Sequence, residues 1–128
     1  MKLSVEISVG ELIDKITILE LKLENIHDGA KLANINREYA ALVRVLDREI
    51  AQSEELMRLR DALKQTNSEL WRIEEDIRTQ EKAKMFGPEF VALARSVYRT
   101  NDRRSALKRE INELLNSDLV EEKSYVAY

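Results

Sequence analysis

A row of polar side chains at helical spacing, Tyr98, Asn101, Ser105, Lys108 and Asn112, is the part of this sequence best equipped for chemistry. Arg104 stands beside it, where the apolar seam of Val97 and Leu107 should continue. A return of the chain at Gly87-Pro88 sets Asn67 opposite Ala106, Trp71 opposite Asp102, Glu74 opposite Arg99 and Arg78 opposite Arg95. One level of a helical hairpin would then gather Asn67, Trp71, Glu74, Arg78, Arg95, Tyr98, Asn101, Asp102, Arg104, Lys108 and Asn112. Two chemistries fit such a layer. The groups can satisfy one another and fix the register of two long helices, as a buried asparagine does in coiled coils. Alternatively, the layer opens as a cleft for a small anionic or sugar-like ligand. Arg104 and Lys108 would supply charge, Asn101 and Asn112 hydrogen bonds, and Trp71 or Tyr98 a stacking face.

Other constellations are thin. His27 is the sole histidine and sits beside Asp28 and Gly29 at the end of the first helix, a place suited to capping carbonyls. Glu110 and Glu113 lie one turn apart, as in all-helical magnesium-dependent nucleotide hydrolases. The second acidic pair such a site needs does not follow, because only Asp118, Glu121 and Glu122 come after it. The segment Leu12 to Ile16 resembles the first helix of a chorismate-type mutase, yet that helix has no arginine to hold a dicarboxylate. With no cysteine there are neither disulfides nor thiolate sites, and the redox compartment is left open. No catalytic residue, metal or cofactor is therefore expected, and Trp71 reads most simply as a core or interface residue.

Residues 95–109 carry six cations, Arg95, Arg99, Arg103, Arg104, Lys108 and Arg109, against Asp102 alone. Like charges one turn apart repel, so this row needs partners. Glu69, Glu74, Glu75, Asp76 and Glu81 stand at matching levels of the preceding helix and can absorb it as interhelical ion pairs. Nucleic acid is not an expected partner: the net charge is −3 and aromatic residues make up only 5% of the chain.

These residues must be positioned by long helices. The 128-residue chain holds three glycines and one proline, too few breakers for anything else, and its length suits one domain. Expected helices span about 8–28, 31–52, 54–85 and 88–116, within the limits of boundary reading. Ser8 and Glu11 form a capping box ahead of the seam Val9, Leu12, Ile16, Leu19, Leu23 and Ile26. Gly29 reads as a left-handed cap closing that helix. Ser53 reads as the cap of the third helix across a soft boundary, and Pro88 as an opening residue of the fourth. The fold class is all-α: antiparallel helical hairpins packed up and down as a coiled-coil-like bundle of three or four helices.

Two short stretches depart from this period. Residues 3–7 alternate as a strand would, and residues 123–128 concentrate aromatic and β-branched types. They can pair with each other, pair across a dimer axis, or fray. Charged residues form 35% of the chain and apolar residues 44%, so narrow apolar seams flanked by charge invite a second copy to cover them. A homodimer, with room for a protein partner, is the expected assembly. No stretch is long and apolar enough for a membrane span, and the opening residues do not form a signal peptide, so a cytoplasmic setting is expected.

Ser8 to Ile26 (SVGELIDKITILELKLENI), Leu70 to Arg78 (LWRIEEDIR), Asn101 to Asn112 (NDRRSALKREIN) and Glu121 to Tyr128 (EEKSYVAY) together resemble a family of small bacterial proteins, a domain of unknown function. The resemblance extends over nearly the whole chain. It implies a bacterial, cytoplasmic, stand-alone helical protein with no assigned activity, and it favours a sugar-nucleotide or partner-protein role. The resulting expectation is a non-enzymatic interaction or accessory protein that self-associates. The alternative is a binding protein, or an enzyme, that takes a small anion or sugar nucleotide in the polar layer.

Overall fold

The computed structural model describes all 128 residues as four helices with no strand: α1 (Val9–Asn25), α2 (Gly29–Glu49), α3 (Glu54–Lys82) and α4 (Pro88–Leu114). Local chemistry sets each boundary. The Ser8 hydroxyl accepts from the Glu11 amide at 3.1 Å and starts α1. The return half of the expected capping box is not made, because the Glu11 carboxylate turns instead to Lys108, 2.7 Å away. The chain becomes extended at Ile26, and Asp28 Oδ1 accepts from the Lys31 amide at 2.9 Å to open α2. Gly29 is thus the first residue of α2 and not a left-handed cap. A carboxylate N-cap beside it binds an otherwise orphaned amide, which outweighs glycine's backbone freedom. His27 lies in this short connection and is exposed.

Ile50 to Ser53 separate α2 from α3, and the Ser53 hydroxyl accepts from Leu56 at 3.1 Å ahead of Glu54 and Glu55. The third helix ends in a Schellman motif, with Met85 N–H bonded to Gln80 C=O and Lys84 N–H to Glu81 C=O. This puts Lys84 at a φ of 57°, a position that glycine usually fills. Pro88 then opens α4, whose own end repeats the motif with Asn116 at a φ of 50°.

Packing centres on α1, which touches all three other helices, while α3 lies along α4 and α2 has only α1 as a close backbone neighbour. This hub differs from an even up-and-down ring. The reason is that α1 buries two faces: Leu12, Ile16 and Leu19 on its expected seam, and Gly10, Asp14, Thr17 and Leu21 on a second. Leu12, Ile13, Ile16, Leu46, Leu56, Leu59, Leu63 and Ile111 form the core cluster, each fully buried side chain worth about 1.5–3 kcal/mol. None of these helices is long and apolar enough to cross a membrane.

The long hairpin overhangs this body. From Ser68 to Arg99 no residue is buried, and Met85, Phe86 and Val91 are more than half exposed. The chain ends, 1–7 and 117–128, carry no regular structure and do not pair with each other. Side chains fold the C-terminal segment back along α4: Glu121 meets Lys108, Glu122 meets Arg109, and the Tyr128 hydroxyl bonds Asp102.

Candidate functional site

The polar layer is built around a carboxylate from α1. Asp14 is fully buried and grips the Arg104 guanidinium with both oxygens, Oδ1 taking Nε at 2.9 Å and Oδ2 taking Nη2 at 2.5 Å. Asn67 Nδ2 donates to the same Oδ1 at 2.9 Å and to Thr17 Oγ1 at 3.0 Å. The Thr17 hydroxyl in turn donates to the Asp14 backbone carbonyl at 2.8 Å. Three helices are thereby fastened at one level, and no buried side-chain polar atom is left without a partner. The hydrogen bonds that Arg104 donates to Asp14 push its pKa above the ordinary value despite burial. Losing either half of such a pair strands a buried charge, at about 3–5 kcal/mol.

One turn along, a second station forms on Lys108. Its ammonium reaches Glu11 at 2.7 Å and Glu121 at 2.8 Å. Burial by itself would lower the Lys108 pKa, but the two carboxylates outweigh it and the value is raised. The same lysine holds Glu121 below the usual carboxylate range. Beyond it the Gly10 amide donates to Asn112 Oδ1 at 2.7 Å. The helices are so close there that a methyl group on Gly10 would collide with the Lys108 carbonyl. Its backbone torsions are ordinary, so Gly10 is required by close approach alone.

Outside these two stations lies an open depression of about 200 Å³, lined by Ser105, Lys108, Arg109, Asn112, Glu121 and Lys123, with no apolar residue. A shallower continuation reaches Asn101 and Arg104.

Of the residues singled out from the sequence, Asn67, Arg104, Lys108 and Asn112 enter these networks. Asn101 touches them only through a 3.5 Å contact from Arg104. The others stand apart. Trp71 donates to Glu75 at 3.1 Å, Glu74 and Arg78 form an exposed pair along α3, and Arg95 is exposed with no ion-pair partner. Tyr98 meets Tyr128 edge to face at 5.2 Å, beside Asp102. The basic row also finds different partners from those expected. Only Arg103 pairs with α3, through Glu69 at 2.6 Å, whereas α1 and the C-terminal segment neutralise Arg104, Lys108 and Arg109.

Sequence reasoning missed Asp14, Thr17, Glu11, Gly10 and Glu121. A usable signal existed for the first helix, since Gly10, Asp14, Thr17 and Leu21 recur at the same spacing as its apolar seam. A carboxylate in a row that also carries leucine implies a buried cation opposite.

No curated protein and no solved structure matches this chain. A family model does match, over residues 1–128, and the chain belongs to the family of unknown function (DUF6165).

Proposed function

We propose that this protein is a non-enzymatic interaction module that pairs with a second copy of itself through the overhanging half of the α3–α4 hairpin. The observation that carries this reading is the absence of any buried residue between Ser68 and Arg99, although Ile73, Ile77, Leu93 and Val97 follow helical spacing there. Two helices alone cover such a seam only on one side, and a second hairpin would complete a four-helix arrangement. Charge suits a two-fold pairing. In the overhang the α3 stretch 68–82 carries Glu69, Glu74, Glu75, Asp76 and Glu81 against Arg72, Arg78 and Lys82, a net −2, and the α4 stretch 88–99 carries Arg95 and Arg99, both without ion pairs, against Glu89, a net +1. An isologous contact sets the acidic helix of each copy against the basic helix of the other. The sealed state of Asp14 supports a structural role for the layer below it. A cytoplasmic setting is part of the same proposal.

Sedimentation equilibrium tests the reading. The wild-type chain should be dimeric at micromolar concentration, and Phe86→Glu with Val91→Glu should give a monomer of unchanged helicity. A wild-type monomer at tens of micromolar would refute it.

A further inference from the structure

The depression beside Lys108 is made almost wholly of donors. Lys108, Arg109 and Lys123 bring three positive groups, and Ser105 adds a hydroxyl that makes no hydrogen bond within the chain. Asn112 is oriented by its neighbour: the Gly10 amide occupies Oδ1, and the NH2 end makes no hydrogen bond within the chain. The only carboxylate in the lining is Glu121, which arrives on the C-terminal segment.

That segment is lightly held. No backbone hydrogen bond joins residues 118–128 to the rest of the protein as donor or acceptor outside the helices. Its attachment to α4 consists of Glu121 on Lys108, Glu122 on Arg109 and Tyr128 on Asp102 and Tyr98. The two tail carboxylates together carry the charge of one phosphate group, about −1.5 to −2 at neutral pH. A phosphate can also use more donors at once than a single carboxylate does. At about 200 Å³ the depression is smaller than a pocket for a drug-sized ligand, roughly 300–1,000 Å³, so it suits a phosphate group and not a whole sugar nucleotide.

We infer that the depression formed by Ser105, Lys108, Arg109, Asn112 and Lys123 is a phosphate-binding site, and that Glu121 inside it, with Glu122 engaging Arg109 from its edge, acts as a tethered competitor. A phosphate takes the place of the two carboxylates and releases the C-terminal segment from α4. This site is independent of the overhang through which the copies pair.

Calorimetric titration of the full chain with inorganic phosphate and with glucose 1-phosphate tests the inference. The E121Q/E122Q variant should bind about tenfold tighter than wild type, the gain expected when a competitor fills nine sites in ten. R109A/K123A, at two exposed positions outside the core, should bind about tenfold weaker, the effect of about 1.4 kcal/mol of lost charge-assisted contact. Tighter binding of the ester assigns a phosphate monoester as ligand, and tighter binding of the ion assigns free phosphate. Melting curves establish that each variant is folded. The inference is overturned if E121Q/E122Q binds no tighter than wild type. It is equally overturned if E38Q/D47N, which removes the same charge from exposed positions of α2, a helix that does not contact α4, gains as much, or if no variant binds either probe.

Discussion

Arg104→Ala is the most informative perturbation of the buried layer. It removes two of the three hydrogen bonds that reach the Asp14 carboxylate and leaves only Asn67 Nδ2. Charge-assisted bonds are worth about 1.5–3 kcal/mol each, and breaking a buried pair from one side costs about 3–5 kcal/mol. The Arg104 side chain is 26% exposed, so water can partly refill its place, and the lower end, about 3 kcal/mol, is expected. With an unfolding entropy of about 2.1 cal/mol/K per residue, a chain of 128 residues should then melt about 11 °C lower. Urea denaturation followed by circular dichroism gives the same quantity at constant temperature. Asp14→Leu combined with Arg104→Leu should cost less than the sum of the single changes, because neither charge is then stranded. Asn101→Ala, which loses one 3.5 Å contact, should fall within about 0.5 kcal/mol of wild type. The reasoning fails if Arg104→Ala costs under about 1 kcal/mol, or if the double change is simply additive.

Three further outcomes follow from the same geometry. Gly10→Ala should lose about 1–3 kcal/mol in urea melts, since its methyl group would push the Lys108 backbone away from α1. Lys84→Gly should raise stability by about 0.5–1 kcal/mol, because glycine relieves the left-handed cost at the hairpin cap. Its melting point falling instead would contradict the Schellman assignment. Lys108 holds the Glu121 carboxyl low, so the attachment of the tail should be present above the ordinary glutamate pKa and be lost as pH falls through the lowered folded value. Carboxyl-carbon NMR titration reads this directly, and a Glu121 midpoint at or above that of a free glutamate would exclude the contact.

Legibility from sequence followed the range of the forces involved. Caps act within four residues, and Ser8, Ser53 and Pro88 therefore mark real helix starts. The hairpin register was equally readable, because antiparallel geometry extends from one turn, and Glu69 does meet Arg103. Gly29 failed because two local rules competed there and the Asp28 cap won. The core of the site was hidden for a different reason. Asp14 and Arg104 lie 90 residues apart, and no periodicity within either helix names the other. The tail contacts of Glu121 and Glu122 arise in a segment without regular period, where spacing carries no positional information. Only the second buried face of α1 was available and unread, masked by its polar members.

The hub position of α1 also bears on how the chain is made. Gly10 must wait for Asn112, a partner 102 residues further along, before its amide is satisfied. At about 5–20 residues per second on the ribosome, α1 spends roughly 5–20 s with its second face open before α4 emerges. Such a wait is unusual for an all-helical protein, whose contacts are mostly near neighbours and form early. Asp14 gives that face a charge that water can solvate during the interval, and the carboxylate has its full set of partners only once Arg104 of the last helix joins Asn67 of α3.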